Sequence, residues 1–173
     1  MNIAYVSIGG RGLIDDCVAD MVEHLQAAGL RVAGTVRAQA VADGAHRCDM
    51  DIRVLPDGPL FRISQPLGKA SAGCRLDGGA IEGAAFEVEA RVDGADVLVV
   101  NKFGKQEALG RGLCGALARA IERDIPVLVG VNGLNLADFL RFTDGTAVRL
   151  DPTPDAALEW IEGTRASRAA LVR

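Results

Sequence analysis

Between Asn101 and Arg111 the chain gathers two lysines, a glutamate and an arginine within eleven positions. The segment Asn101-Lys102-Phe103-Gly104-Lys105-Gln106-Glu107 follows directly on the apolar run Val97–Val100. A β-branched run of that kind reads as a strand buried on both faces of a parallel sheet. Polar groups at the carboxyl end of such a strand stand where open α/β sheets bind ligands. Lys102, Lys105 and Arg111 would supply positive charge to a phosphate or oxyanion. Asn101 can donate or accept a hydrogen bond without adding charge, and Glu107 is expected to orient Lys105 or Arg111. The plain alternative is a solvated loop that happens to be charged.

A second candidate element stands at the N-terminus. The apolar run Ile3–Ile8 leads into Gly9-Gly10-Arg11-Gly12 and then into a helical pattern. Strand, glycine-rich turn and helix is the layout of a phosphate cradle, because backbone N–H groups at a helix start face an anion and glycine allows close approach. The residue pattern is incomplete. The phosphate-loop signature GxxxxGK[ST] needs a lysine for the phosphates and a hydroxyl for magnesium. In the usual register Ile14 stands at the lysine position and Asp15 at the hydroxyl position. GxGxxG is not met either. Gly9, Gly10, Arg11 and Gly12 are therefore expected to meet the ligand together with Asn101, Lys102, Lys105, Glu107 and Arg111. Asp15 and Asp16 oppose an anion unless their carboxylates turn away or hold a cation.

Composition narrows the ligand class. The net charge is −4 and aromatic residues make up 4% of 173 residues. The first disfavours nonspecific duplex binding, and the second argues against a stacking platform for single strands. A small anionic ligand, and neither nucleic acid nor a membrane, is the expected partner; the oligomeric state is not legible. No apolar run reaches the roughly 18 residues of a membrane span, and the N-terminus lacks a basic leader, so a cytoplasmic protein is expected.

The elements that must position these residues follow from periodicity. Strands are predicted at Ile3–Ile8, Leu30–Val36, Ala95–Val100 and Ile125–Val131, with an edge strand at Thr146–Leu150. Helices are predicted from the glycine turn to about Ala28, from Asp77 or Gly78 to about Val92, and from about Glu107 to Arg123. Two more are expected over Leu134–Phe142 and Asp155–Gly163, followed by a basic, frayed tail over 164–173. Between about 37 and 75 the pattern turns to short alternating stretches. Asp49–Leu55 and Leu60–Ser64 flank Pro56-Asp57-Gly58, a hairpin signal. This reads as a β-rich insertion beside the main sheet. Alternating strands and helices make the whole chain, 1–173, a single α/β domain with a mostly parallel sheet covered by helices on both faces.

Four cysteines, Cys17, Cys48, Cys74 and Cys114, are dispersed without a CxxC pair. Cys48 lies beside Asp49 and Asp51, and Cys74 precedes Asp77; Cys48, Cys74 and Asp77 are candidates for a soft or borderline metal, with His46 nearby. Buried free thiols are the ordinary alternative.

The order of segments resembles the small, thermophilic-type P-loop nucleoside triphosphatases. There the Walker B strand ends in Asp-Glu, a hydrophobic residue and Gly-Lys-Met-Glu; here Gly104, Lys105 and Glu107 match, while Asn101 and Lys102 replace the acidic pair. More closely, the chain resembles a bacterial family of unassigned function. Its members carry NKFGKQE, GRG, Cys-Asp-Met and Cys-Arg-Leu-Asp, here Asn101–Glu107, Gly110–Gly112, Cys48–Met50 and Cys74–Asp77. The resemblance implies a three-layer P-loop-NTPase-like fold with degenerate Walker motifs and a nucleotide with magnesium as cofactor. It also implies a link to molybdate transport. Three functions follow as expectations: binding of a phosphate-bearing ligand or oxyanion, noncanonical nucleoside triphosphate hydrolysis, or a non-catalytic accessory role in molybdenum metabolism. Loss of the phosphate-loop lysine and of the acidic pair argues for weak or absent hydrolysis.

Overall fold

The computed structural model describes residues 1–10, 12–38, 50–65 and 75–171. Arg11, His46, Cys48 and Cys74 lie outside the described residues, as does much of the proposed 37–75 insertion. In chain order the elements are β1 (Ile3–Ser7), α1 (Leu13–Ala27), β2 (Val32–Arg37), β3 (Asp51–Leu55), β4 (Leu60–Arg62), β5 (Ser64–Gln65) and β6 (Arg75–Leu76). Then come α2 (Gly78–Glu89), β7 (Val97–Phe103), α3 (Lys105–Ala108), α4 (Cys114–Glu122), β8 (Val127–Val131), α5 (Leu136–Phe142), β9 (Val148–Arg149) and α6 (Pro154–Leu171).

Seven strands form one sheet in the order β4-β3-β2-β7-β8-β1-β9. The five from β2 to β9 are parallel, and β3 and β4 add an antiparallel edge. β7 and β8 are central, which is why VLVV and VLVGV are apolar without alternation. Successive residues still face opposite layers. Val97 and Val99 pack with Ala4, Val6 and Leu128 under α1 and α6, through Val18, Met21, Leu25 and Ile161. Leu98 and Val100 pack with Tyr5, Val127 and Val129 under α2, α4 and α5. The expected three layers are therefore present. Among the described residues no helix is long and apolar enough to cross a membrane.

Four local expectations are corrected. The hairpin of β3 and β4 does not pack beside the main sheet; β3 pairs with β2 from Gly34↔Leu55 to Arg37↔Ile52 and continues it. An open β2 edge would leave a row of backbone groups unpaired, and the hairpin fills them. β7 does not stop at Val100 but runs through Phe103, whose ring is buried against Phe139 at 5.2 Å. The single helix expected over Glu107–Arg123 is two, α3 and α4. Gly110 (φ 74°) and Gly112 (φ 57°) adopt left-handed conformations that interrupt it. The tail at 164–173 does not fray at Thr164, because α6 continues through Leu171. Arg165 Nη2 holds it 2.8 Å from Asp96 Oδ1.

Candidate functional site

β1 and β7 are not paired. β8 lies between them, and α1 crosses from the end of β1 back over β8 and β7. This crossing brings the glycine turn and the first turn of α1 to the carboxyl end of β7, although some 86 residues separate Asp15 from Asn101. Gly10 (φ 111°) and Gly12 (φ 82°) turn the chain into the helix with positive φ. Gly12 is the N-cap and provides no side-chain hydrogen bond. The Asp15 N–H donates to the Gly12 carbonyl at 3.0 Å; the N–H groups before it, at the start of a helix, have no partner within it and can receive an acceptor. Ile14, expected from the sequence at the position of a phosphate-loop lysine, is buried in the core.

The charge comes from the sheet instead. Between Val100 and Phe103, β7 advances three residues while β8 advances two, from Val129 to Val131. This bulge breaks the alternation that would send Asn101 and Lys102 to opposite faces. Both side chains reach one carboxylate. Asn101 Nδ2 donates to Asp15 Oδ1 at 2.8 Å, and Lys102 Nζ donates to Asp15 Oδ2 at 2.9 Å. Arg37, the last residue of β2, adds a guanidinium 3.7 Å from Asp15 Oδ2. Its Nη1 would lie 3.5 Å from a Cβ placed on Gly12. Asn101 is fixed from β2 as well: its Oδ1 accepts from the Arg37 backbone N–H (3.3 Å), and its own N–H donates to Thr35 Oγ1 (3.3 Å). Asp15 is thus paired with both Lys102 and Arg37.

The rest of the predicted set is placed differently. Lys105 and Arg111 are exposed and make no ion pair among the described residues. Glu107 is 5% exposed and orients neither of them. Its Oε2 accepts the N–H of Gly104 (3.0 Å) and its Oε1 that of Leu113 (3.2 Å), closing the 104–113 loop across its own base. A Cβ on Gly112 would collide with Glu107 Oε1. Glu82 of α2 clamps the same loop, accepting the Gly112 N–H at 2.8 Å. Asp77 is the N-cap of α2: Oδ1 accepts from the Ala80 N–H (3.1 Å) and Oδ2 from Gln65 Nε2 (3.2 Å). Those two donors, with the Gly79 N–H, hold its carboxyl below the usual range. Among the described residues no group of three metal-ligating side chains forms.

Arg37 and Glu82 escaped the sequence reading. Arg37 had one signal, its place at the carboxyl end of a parallel strand. Glu82 had none, since its partner is a backbone group 30 residues away. Two grooves, of about 920 and 690 Å³, open at the other end of the sheet, along α6. They involve none of the residues above.

A family model described as "Protein of unknown function (DUF2478)" matches residues 3–160. The chain belongs to this family. A segment of 140 residues is 36% identical to the molybdenum import ATP-binding protein ModC 2 of Bradyrhizobium diazoefficiens. That match covers 79% of this chain but only 15% of the relative. Two solved structures are similar in fold. A human cancer-related nucleoside triphosphatase gives a TM-score of 0.63 at 14% identity over 96% of this chain and 99% of that one. THEP1 from Aquifex aeolicus gives 0.60 at 19% identity over 94% and 96%. The DUF2478 chain thus has the P-loop-NTPase-like α/β fold expected from its sequence.

Proposed function

We propose that this DUF2478 protein binds a phosphate-bearing ligand, such as a nucleotide, or an oxyanion at the mouth between Gly9–Gly12 and the end of β7. The observation that carries the reading is the convergence of Lys102 and Arg37, from two adjacent strands, on the first turn of a helix entered through glycine. Helix N–H groups would meet the anion from one side and the two cations from the other. Lys105 and Arg111, on the segment that follows β7, are exposed and would add positive charge on that side of the sheet. The fold shared with a nucleoside triphosphatase and the similarity to part of an ATP-binding protein support a nucleotide.

Hydrolysis is expected to be weak or absent. Phosphoryl transfer needs a cation on the phosphates, a carboxylate or hydroxyl for magnesium, and a residue that positions water. The acidic residue on α1 that faces the mouth, Asp15, is held by Lys102, Arg37 and Asn101. The residues present therefore do not fit a magnesium site.

Titration calorimetry and thermal melting with ATP, GTP, ADP, phosphate, sulfate and molybdate test the reading, since a ligand of the folded state raises apparent stability. At least one should bind, and Lys102→Ala should weaken it by about 1.5–3 kcal/mol, the scale of a charge-assisted hydrogen bond. Binding unaffected by Lys102→Ala and Arg37→Ala would overturn the site. A second reading, an accessory role in molybdenum metabolism, draws on the molybdenum import relative. Molybdate bound more tightly than sulfate and ATP would favour it. Turnover of ATP or GTP at about 1–100 per second would favour an active triphosphatase instead.

A further inference from the structure

The smaller groove, of about 690 Å³, opens at the amino ends of three adjacent strands, β2, β7 and β8. Its floor is the chain just before β7 and β8. Among the described residues four arginines line it, and they come from both helical layers. Arg123 caps the end of α4 on one face of the sheet, Arg165 and Arg168 lie on α6 on the other, and Arg31 immediately precedes β2. One carboxylate, Asp96, lines the groove with them. We propose that this groove is a second anion site, which binds a small polyanion, a polyphosphate or polycarboxylate, across the four guanidiniums. It does not depend on the mouth at the opposite end of the strands.

The charge is gathered here without full compensation. Asp96, 13% exposed, holds two of the arginines. Its Oδ1 accepts from Arg165 Nη2 at 2.8 Å, and its Oδ2 lies 3.4 Å from Arg31 Nε. Asp93, beside the groove, holds Arg123, whose Nε lies 2.6 Å from its Oδ1, and is shared with Arg119. Arg168 makes no ion pair with any described residue, although acids line the neighbouring groove along α6. Two carboxylates thus stand against four guanidiniums, a local surplus of positive charge on a chain whose net charge is −4. Nor are the donors exhausted. Both terminal nitrogens of Arg31, the Nε and Nη1 of Arg165 and the whole guanidinium of Arg168 have no protein partner among the described residues. A guanidinium takes a carboxylate or phosphate in a two-pronged fork. An anion can therefore bind the unused edges while Asp96 and Asp93 keep their contacts, and it also relieves the repulsion among the arginines. The volume falls in the ordinary range of small-molecule sites. A ligand with two or more anionic groups can span the arginines of both layers, as a lone phosphate cannot.

Inorganic triphosphate and citrate are titrated by calorimetry into the wild-type chain, Lys102→Ala and Arg168→Glu, with circular dichroism to confirm the fold. Arg168 has no partner to lose, so its replacement should leave the fold intact; Arg168→Ala serves as the second variant. At least one of the two anions should bind to Lys102→Ala, in which the mouth is weakened. Arg168→Glu should weaken that binding at least about tenfold, and Arg168→Ala at least about threefold. Bound anion should also slow amide exchange in Thr164–Leu171 at least about threefold, because it joins the end of α6 to the sheet. If neither anion binds at up to about 5 mM, or if Arg168→Glu binds as the wild type does, the inference fails. Binding that is lost in Lys102→Ala and kept in Arg168→Glu would place the anion at the mouth: the groove inference fails and the mouth stands. Binding kept in Lys102→Ala and lost in Arg168→Glu upholds the groove, whatever the mouth is found to bind.

Discussion

Glu107 offers the sharpest test of how the site is built. Replacing it with alanine removes the acceptor for two backbone N–H groups, those of Gly104 at 3.0 Å and Leu113 at 3.2 Å. A buried donor stripped of a charged partner costs roughly 1–3 kcal/mol. The Leu113 N–H is buried and should cost about 2 kcal/mol; the Gly104 N–H is partly open to water and should cost about 1 kcal/mol. The sum is about 3 kcal/mol, or a fall of about 6–12 °C in melting temperature for a chain of this size. Glu107→Gln keeps one acceptor and should lose about half as much.

Urea denaturation followed by circular dichroism, with a parallel thermal melt, gives both quantities. Lys105→Ala and Arg111→Ala are the controls. Each is an exposed side chain without an ion pair among the described residues, so each should stay within about 0.5 kcal/mol of wild type. A Glu107→Ala protein that melts within about 2 °C of wild type would refute the closure of the loop by Glu107. A loss reproduced by Lys105→Ala or Arg111→Ala would show that Glu107 acts through those cations.

Cys114 is half-buried and faces Glu107 and Glu82; burial and those two carboxylates push its thiol up to about 11. Mass spectrometry should find it alkylated at pH 8 at least about tenfold more slowly than an exposed thiol. Asp96 is opposed by burial, yet the Arg31 N–H and side chain and the Arg165 guanidinium bring its carboxyl below the ordinary value. A depressed acid stabilises the fold above its unfolded pKa of about 3.9 and stops doing so as pH falls through the folded value. Asp96→Asn should therefore lower stability at pH 7 and converge with wild type as pH falls through the folded value, while amide exchange in Thr164–Leu171 accelerates at pH 7. Gly34 (φ 128°) carries a backbone that L side chains rarely adopt, and a Cβ there would collide with the Val99 carbonyl. Gly34→Ala should cost more than about 3 kcal/mol in urea denaturation, and a near-neutral result would refute the close approach of β2 and β7.

What the sequence disclosed depended on how far each signal reaches along the chain. The central strands were legible because burial on both faces leaves continuous apolar runs. So was α1, with Val18, Met21, Val22 and Leu25 on one face. The hairpin was legible from Pro56-Asp57-Gly58, although its attachment to β2 was not, since nothing local says which edge is open. The break between α3 and α4 was written in Gly110 and Gly112, but helical periodicity on either side masked it. The extent of α6 was hidden because its tether, Asp96, lies 69 residues away from Arg165. Exposed, basic sequence after Gly163 reads as a fraying end unless that partner is known.

The same limit explains the site. Strand alternation predicts that Asn101 and Lys102 diverge, and only the partner strand reveals the extra residue that lets them converge. The neighbouring strand likewise supplies Arg37, which adjacency in sequence would never pair with residue 101. A phosphate loop of the usual kind places its cation and its N–H groups on one continuous segment, so a motif search can find them together. Here Ile14, expected at the lysine position, is buried in the core, and the cations that meet Asp15 come from β7 and β2. The N–H groups and the positive charge then belong to three segments far apart in sequence. Each can vary without disturbing the others locally, so no short motif records the arrangement. Asp15 is the residue that ties them together: it belongs to the glycine-entered helix and touches both strands. A carboxylate that would repel an anion at the start of that helix becomes, once Lys102 and Arg37 meet it, the element that holds two cations at the mouth.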